Sequence, residues 1–163
     1  GVSDAISLGT ATYKYKDLYL SSGVYLGGTG SANKLDDYEE GTFTATLKGT
    51  VSEPATLLTT TATYTKVGRN VTYNVSFENV NTTGYSGTVS VAGFPFTNNH
   101  GRTTATTAVY SLADWTDNIV GVMAGSTAMD LWDIKSGAPW ASATHNAGAT
   151  RYLWLSGTYM TNS

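Results

Sequence analysis

The chain has 163 residues and a mass of 17.2 kDa, a size suited to one domain that buries about 70% of its unfolded surface. Its 40% hydrophobic and 12% aromatic residues exclude a disordered tail, and a net charge of −3 with nine scattered Lys and Arg leaves no basic stripe for nucleic acid. The lack of Cys removes disulfides, thiolate metal sites and Cys nucleophiles, and two His residues make no structural zinc centre.

No apolar run approaches the ~20 residues of a membrane helix, and the start of the chain lacks the charged-then-apolar order of a signal peptide. A soluble chain with no membrane insertion is expected. Abundant Thr and Tyr favour pleated surfaces while Gly and Asn favour tight turns, which points to an all-β fold.

Residues 13 to 26 carry a short repeat. Tyr13, Tyr19 and Tyr25 lie six apart, Leu18 and Val24 precede two of them, and Leu20 and Leu26 follow. Residues six apart in an extended winding share a face, so these seven side chains form ridges that one chain cannot bury and that copies around an axis would. The plainer alternative is two ordinary strands, Asp17 to Ser21 and Val24 to Leu26. A Gly-rich linker follows, ending in the carboxylates Asp36, Asp37, Glu39 and Glu40 around Tyr38. Those carboxylates suit a polar collar paired with Lys34 or with Arg residues of an adjacent subunit better than a calcium loop, whose residue order is missing.

Beyond the linker, Phe43, Ala45 and Leu47 share one face of a strand, and Ala62 and Tyr64 precede a turn at Gly68-Arg69-Asn70. Val71, Tyr73, Val75 and Phe77 alternate with Thr72, Asn74 and Ser76, the period of a strand with one face in the core. Val89 and Val91 mark another strand, stopped by Gly93-Phe94-Pro95. Further strands are predicted at Thr106 to Tyr110, Ile119 to Met123, Ala128 to Ile134 and Tyr152 to Tyr159, with a hairpin through Gly125-Ser126-Thr127. Regularly spaced strands without helical periodicity imply an antiparallel β-sandwich, jelly-roll-like, with residues 1–40 as a separate segment and 41–163 as the sandwich.

The junction formed by Leu8-Gly9, Lys16-Asp17-Leu18-Tyr19-Leu20-Ser21, Gly23-Val24-Tyr25-Leu26-Gly27-Gly28-Thr29-Gly30, Asn33 and Leu35-Asp36-Asp37-Tyr38-Glu39-Glu40-Gly41-Thr42-Phe43-Thr44 resembles the one before the C-terminal domain of bacteriophage tail fibre and tailspike proteins. Tyr64-Thr65-Lys66-Val67-Gly68-Arg69, Gly93-Phe94-Pro95-Phe96 and Leu155-Ser156-Gly157-Thr158-Tyr159 are similar to the remainder of that domain. Phe43 and Ala45 stand where family members often have Trp and Pro. The resemblance implies a homotrimer at the distal end of a fibre on the virion, with a short shaft of intertwined strands before the sandwich. It also implies a tip that engages host cell-surface glycans, or one that only registers and locks the trimer.

Saccharide recognition uses flat ring faces beside carboxylates and amides. Trp115 and Trp140 fall in turn-rich segments where rings are partly exposed, and Trp132 lies on a strand with no cleanly polar face. With Asp114, Asp117 and Asp130 they make the expected carbohydrate-binding set; packing in the core or between subunits is the competing role for each Trp. In the last strand, Leu153 and Leu155 facing inward place Tyr152 and Trp154 outward or toward a neighbouring subunit. His100 and His145 lie in loops, no Gly-x-Ser-x-Gly elbow occurs, and Asp114, Asp117, Asp130 and Asp133 are the carboxylates a glycosidase would have to use. A non-enzymatic protein without cofactor or metal is expected.

Overall fold

The computed structural model describes residues 7–162. The chain forms two compact units that divide between Asp36 and Asp37.

In the first unit, β1 (Val24–Tyr25) pairs antiparallel with β2 (Lys34–Leu35), and a 3-10 turn at Ser31–Asn33 returns the chain. The Leu26 amide donates to the Asn33 carbonyl at 2.8 Å, and the Asn33 side-chain amide donates back to the Leu26 carbonyl at 3.1 Å. Residues 17–21 form no strand, because no backbone among the described residues pairs with them. Their apolar side chains stay wet, Tyr19 at 90% exposure.

The second unit is built from β3 (Tyr38–Gly49), β4 (Thr59–Val67), β5 (Asn70–Val80), β6 (Val89–Ala92), β7 (Arg102–Tyr110), β8 (Ala113–Asp114), β9 (Asn118–Ala124), β10 (Ala128–Ile134), β11 (Ala141–Ser142), β12 (Thr144–His145) and β13 (Arg151–Met160). The neighbours run β10-β6-β3-β4-β5-β13-β7-β9 and then back to β10, all antiparallel. This eight-strand closed barrel replaces the two-sheet sandwich expected from strand spacing. The reason lies in β10, whose two edges are both used: β9 pairs along one, and β6 with β11 along the other. Closure removes the free edges that a sandwich leaves open.

Local chemistry sets the corners. Val67 pairs with Asn70 across the two-residue turn at Gly68-Arg69, where Gly68 takes φ +56, the sign a tight hairpin requires at its first central place. Gly93, at φ +98, ends β6 where a Cβ would lie 2.3 Å from the Thr44 carbonyl, so only Gly fits. The interior of an eight-stranded barrel is just wide enough for side chains to fill. Leu47, Val75, Phe77, Val91, Met123, Leu131, Leu153 and Leu155 are buried there, and at one place Phe94 meets Phe43, Tyr73 and Tyr159 at ring distances of 5.3, 4.9 and 6.0 Å.

His145 on β12 is buried against the Tyr85 ring, stacked at 5.1 Å. Its Nε2 donates to the Lys48 carbonyl at 2.9 Å, while Nδ1 has no partner among the described residues. Burial pushes this imidazole below its ordinary 6.5, against the opposing pull of the Lys48 carbonyl and Glu53. The unfolded chain therefore binds the proton that the native barrel resists, and stability declines as pH drops below about 6.5, by at most ~1.4 kcal/mol per pH unit. Thermal melts of His145→Phe from about pH 7 to 5.5 are expected to lose this slope. A slope identical to that of the parent protein would contradict it.

Candidate functional site

The loop tryptophans occupy one end of the β9–β10 pair. Asn118 opens β9 opposite Ile134, which closes β10, so the segments carrying Trp115 and Trp140 both emerge there. Both rings are about half exposed, at 46% and 47%. Among the described residues neither packs on another aromatic ring or forms a side-chain hydrogen bond. Asp114 is exposed on β8 opposite Thr144. Asp117 is exposed, and its carboxylate accepts from the Ser136 amide at 3.4 Å.

The loop is shaped by Asp133, which is buried at the end of β10. It accepts from the Thr116 amide at 3.0 Å, the Thr116 hydroxyl at 2.8 Å and the Asp117 amide at 3.2 Å, with Lys135 3.6 Å away. Burial would raise its carboxyl, but these donors and Lys135 outweigh that and hold it below the usual range. Its oxygens are thus engaged in holding structure.

Trp132 and Asp130 stand on the outer face of β10, two residues apart, and line a pocket of ≈ 170 Å³ with Arg102, Val122, Ala124, Ser126 and Ala128. Trp132 is half-buried. The structure thus separates the expected set into a strand-borne pair and a loop-borne group.

A different surface is larger. The outward positions of β4, β5 and β13 are mostly Thr, Ser and Asn, and they form a trough of ≈ 410 Å³ lined by Thr63, Thr65, Thr72, Asn74, Ser156 and Thr158. The Thr72 and Thr158 hydroxyls bond to each other at 3.1 Å. The side chains of Thr63, Thr65, Asn74 and Ser156 have no hydrogen-bond partner among the described residues.

On the same face of β13, two residues before Ser156, stands Trp154, at 39% exposure. Its flanking residues are Ser76 of β5 and Ala108 of β7, too small to cover it. Tyr152 stacks on one face of the indole at 5.5 Å and 20°, and Tyr110 meets Tyr152 edge-on at 5.9 Å. The indole N–H donates to Glu78 at 3.2 Å, and Glu78 also accepts from the Ser76 hydroxyl at 2.8 Å. The Ser76 hydroxyl first, and the Trp154 indole second, hold the Glu78 carboxyl below its ordinary value.

The outward direction of Tyr152 and Trp154 was legible in their alternation with Leu153 and Leu155. Their partners were not, since Glu78 and Tyr110 come from strands 76 and 42 residues distant from the residues they touch.

The acidic segment is satisfied within its own chain. Asp36 pairs with Lys34 at 2.9 Å in the first unit. In the second, Asp37 pairs with Lys66, Glu39 accepts from the Tyr64 hydroxyl and Glu40 from the Tyr38 hydroxyl. Among the described residues no three His, Asp or Glu side chains converge as a metal site. Comparison of the chain with models of known protein families and with curated proteins found no match.

Proposed function

We propose that the chain is the tip of a bacteriophage tail fibre, a homotrimer that attaches the virion to polysaccharide on the host cell surface. The observation that carries this reading is the exposure of the large apolar side chains of residues 13–26. One copy leaves Tyr13, Leu18, Tyr19, Leu20, Tyr25 and Leu26 about half exposed or more, and Val24 partly so. So many exposed large apolar side chains within one short segment suit burial between copies, and their six-residue spacing in the sequence suits copies wound about one axis. Three identical heads on one fibre turn weak contacts with a repetitive glycan into lasting attachment. The head acts by adhesion and needs neither catalysis nor a cofactor.

The test is retention of fluorescently labelled protein on a panel of bacterial strains, before and after periodate oxidation of their surface sugars. Retention on particular strains that periodate abolishes is expected. Retention that survives oxidation overturns the glycan assignment. Retention on no strain is the outcome of the alternative reading, in which the domain only caps and registers the trimer.

A further inference from the structure

We propose that the saccharide-contacting site is the trough on the outer face of β4, β5 and β13 together with Trp154, which neighbours the trough residue Ser156 on the same face of β13, and that its ligand is an uncharged hexose polymer. This rests on the adhesive reading above and assigns it a place. Three features select this surface. First, Trp154 is exposed yet fixed: Tyr152 covers one ring face and Glu78 holds the indole edge. Tyr152 precedes Trp154 by two residues along β13 and the trough residue Ser156 follows it by two, so the ring face away from Tyr152 is on the Ser156 side. A ring already held in its binding orientation loses little freedom when a ligand arrives, whereas Trp115 and Trp140 have no such support among the described residues.

Second, the trough floor offers hydroxyls and an amide, groups that both donate and accept, and four of its side chains have no protein partner among the described residues. A pyranose presents the complementary surface, C–H bonds toward the indole and hydroxyls toward Thr63, Asn74 and Ser156. At ≈ 410 Å³ the trough falls within the range of small-molecule sites.

Third, no ionised side chain lines the trough, and Glu78 beside Trp154 is already committed to two donors. A floor of this kind has nothing to neutralise an acidic glycan.

The experiment probes the intact protein on a bacterial-polysaccharide array carrying neutral and anionic polymers, with sedimentation measured in parallel. Wild type is expected to bind neutral hexose polymers. Trp154→Ala should weaken this at least about tenfold, the scale of losing an aromatic anchor. Trp154→Phe should retain part of the affinity, and Asn74→Ala should lower it several-fold with an unchanged melting temperature, which separates lost binding from lost folding. Trp115→Ala and Trp140→Ala should stay within about twofold of wild type. Undiminished binding by both Trp154→Ala and Asn74→Ala overturns the site while leaving adhesion intact, and loss on Trp115→Ala or Trp140→Ala would then move the contact to the loops. Binding confined to anionic polymers overturns the ligand class. A change of sedimenting mass in Trp154→Ala with glycan binding intact reassigns the face to subunit contact. Absence of wild-type binding to every polymer overturns the site and the adhesive reading together.

Discussion

Phe94→Ala is expected to destabilise the barrel by about 3–5 kcal/mol, the range for truncating a fully packed aromatic ring. The ring is 3% exposed and in contact with Phe43, Tyr73 and Tyr159, which come from β3, β5 and β13. Its removal opens a cavity among three strands that are distant in sequence. The flanking backbone cannot collapse into it, because the Gly93 and Phe94 amides both donate to the Thr127 carbonyl at 3.2 Å and the Phe96 amide donates to the Tyr159 hydroxyl at 3.3 Å. For a domain of this size such a loss lowers the melting temperature by roughly 6–20 °C. Phe94→Leu keeps most of the volume and should cost less than about 1.5 kcal/mol. Denaturant unfolding measures both, and an alanine variant within about 1 kcal/mol of the parent would show that the aromatic knot is not tightly packed.

Asp37→Ala should cost more than Lys66→Met, although the two residues form one ion pair. The Lys66 side chain is 7% exposed and lies 5.5 Å above the Phe96 ring, whereas Asp37 is 34% exposed. Removing Asp37 strands an ammonium in the protein, a loss of about 2–4 kcal/mol once water reaching the half-open site is allowed for. Removing the ammonium instead leaves a carboxylate that water can solvate, and the Met chain still fills the space of the Lys stem. Lys66→Met is therefore expected within about 1 kcal/mol of wild type, and the double variant should recover most of the loss. Denaturant midpoints of the three proteins decide this, and a Lys66→Met variant weaker than Asp37→Ala would reverse the assignment of which charge depends on the other.

Lys66 also illustrates what alternation cannot disclose. It occupies an inward position of β4, in register with Ala62 and Tyr64, and a charged side chain there conflicts with a hydrophobic interior until Asp37 is brought beside it. Strand identity was legible wherever one face met the core. Val71 to Phe77 alternated as expected within the longer β5, and the predicted bounds of Ala128 to Ile134 coincide with β10.

Partnership between strands was not legible. Alternation reports which face of a strand is dry and says nothing about what lies along its edges. The pairing of β10 with β6, which closes the barrel, joins Asp130 to Ser90 across forty residues of chain. The same blindness hid the surface around Trp154, assembled from β5, β7 and β13. The loop tryptophans stood out in sequence because turn residues surround them, yet that context is also why neither ring is held in place by the described residues.

Sedimentation equilibrium of the whole chain at high concentration tests the fibre assignment most directly. Association of the ridge of residues 13–26 predicts a species of three times the 17.2 kDa chain mass, dispersed by Tyr19→Ser combined with Leu18→Ser while the barrel keeps its melting temperature. A well-ordered single subunit at every concentration would contradict it.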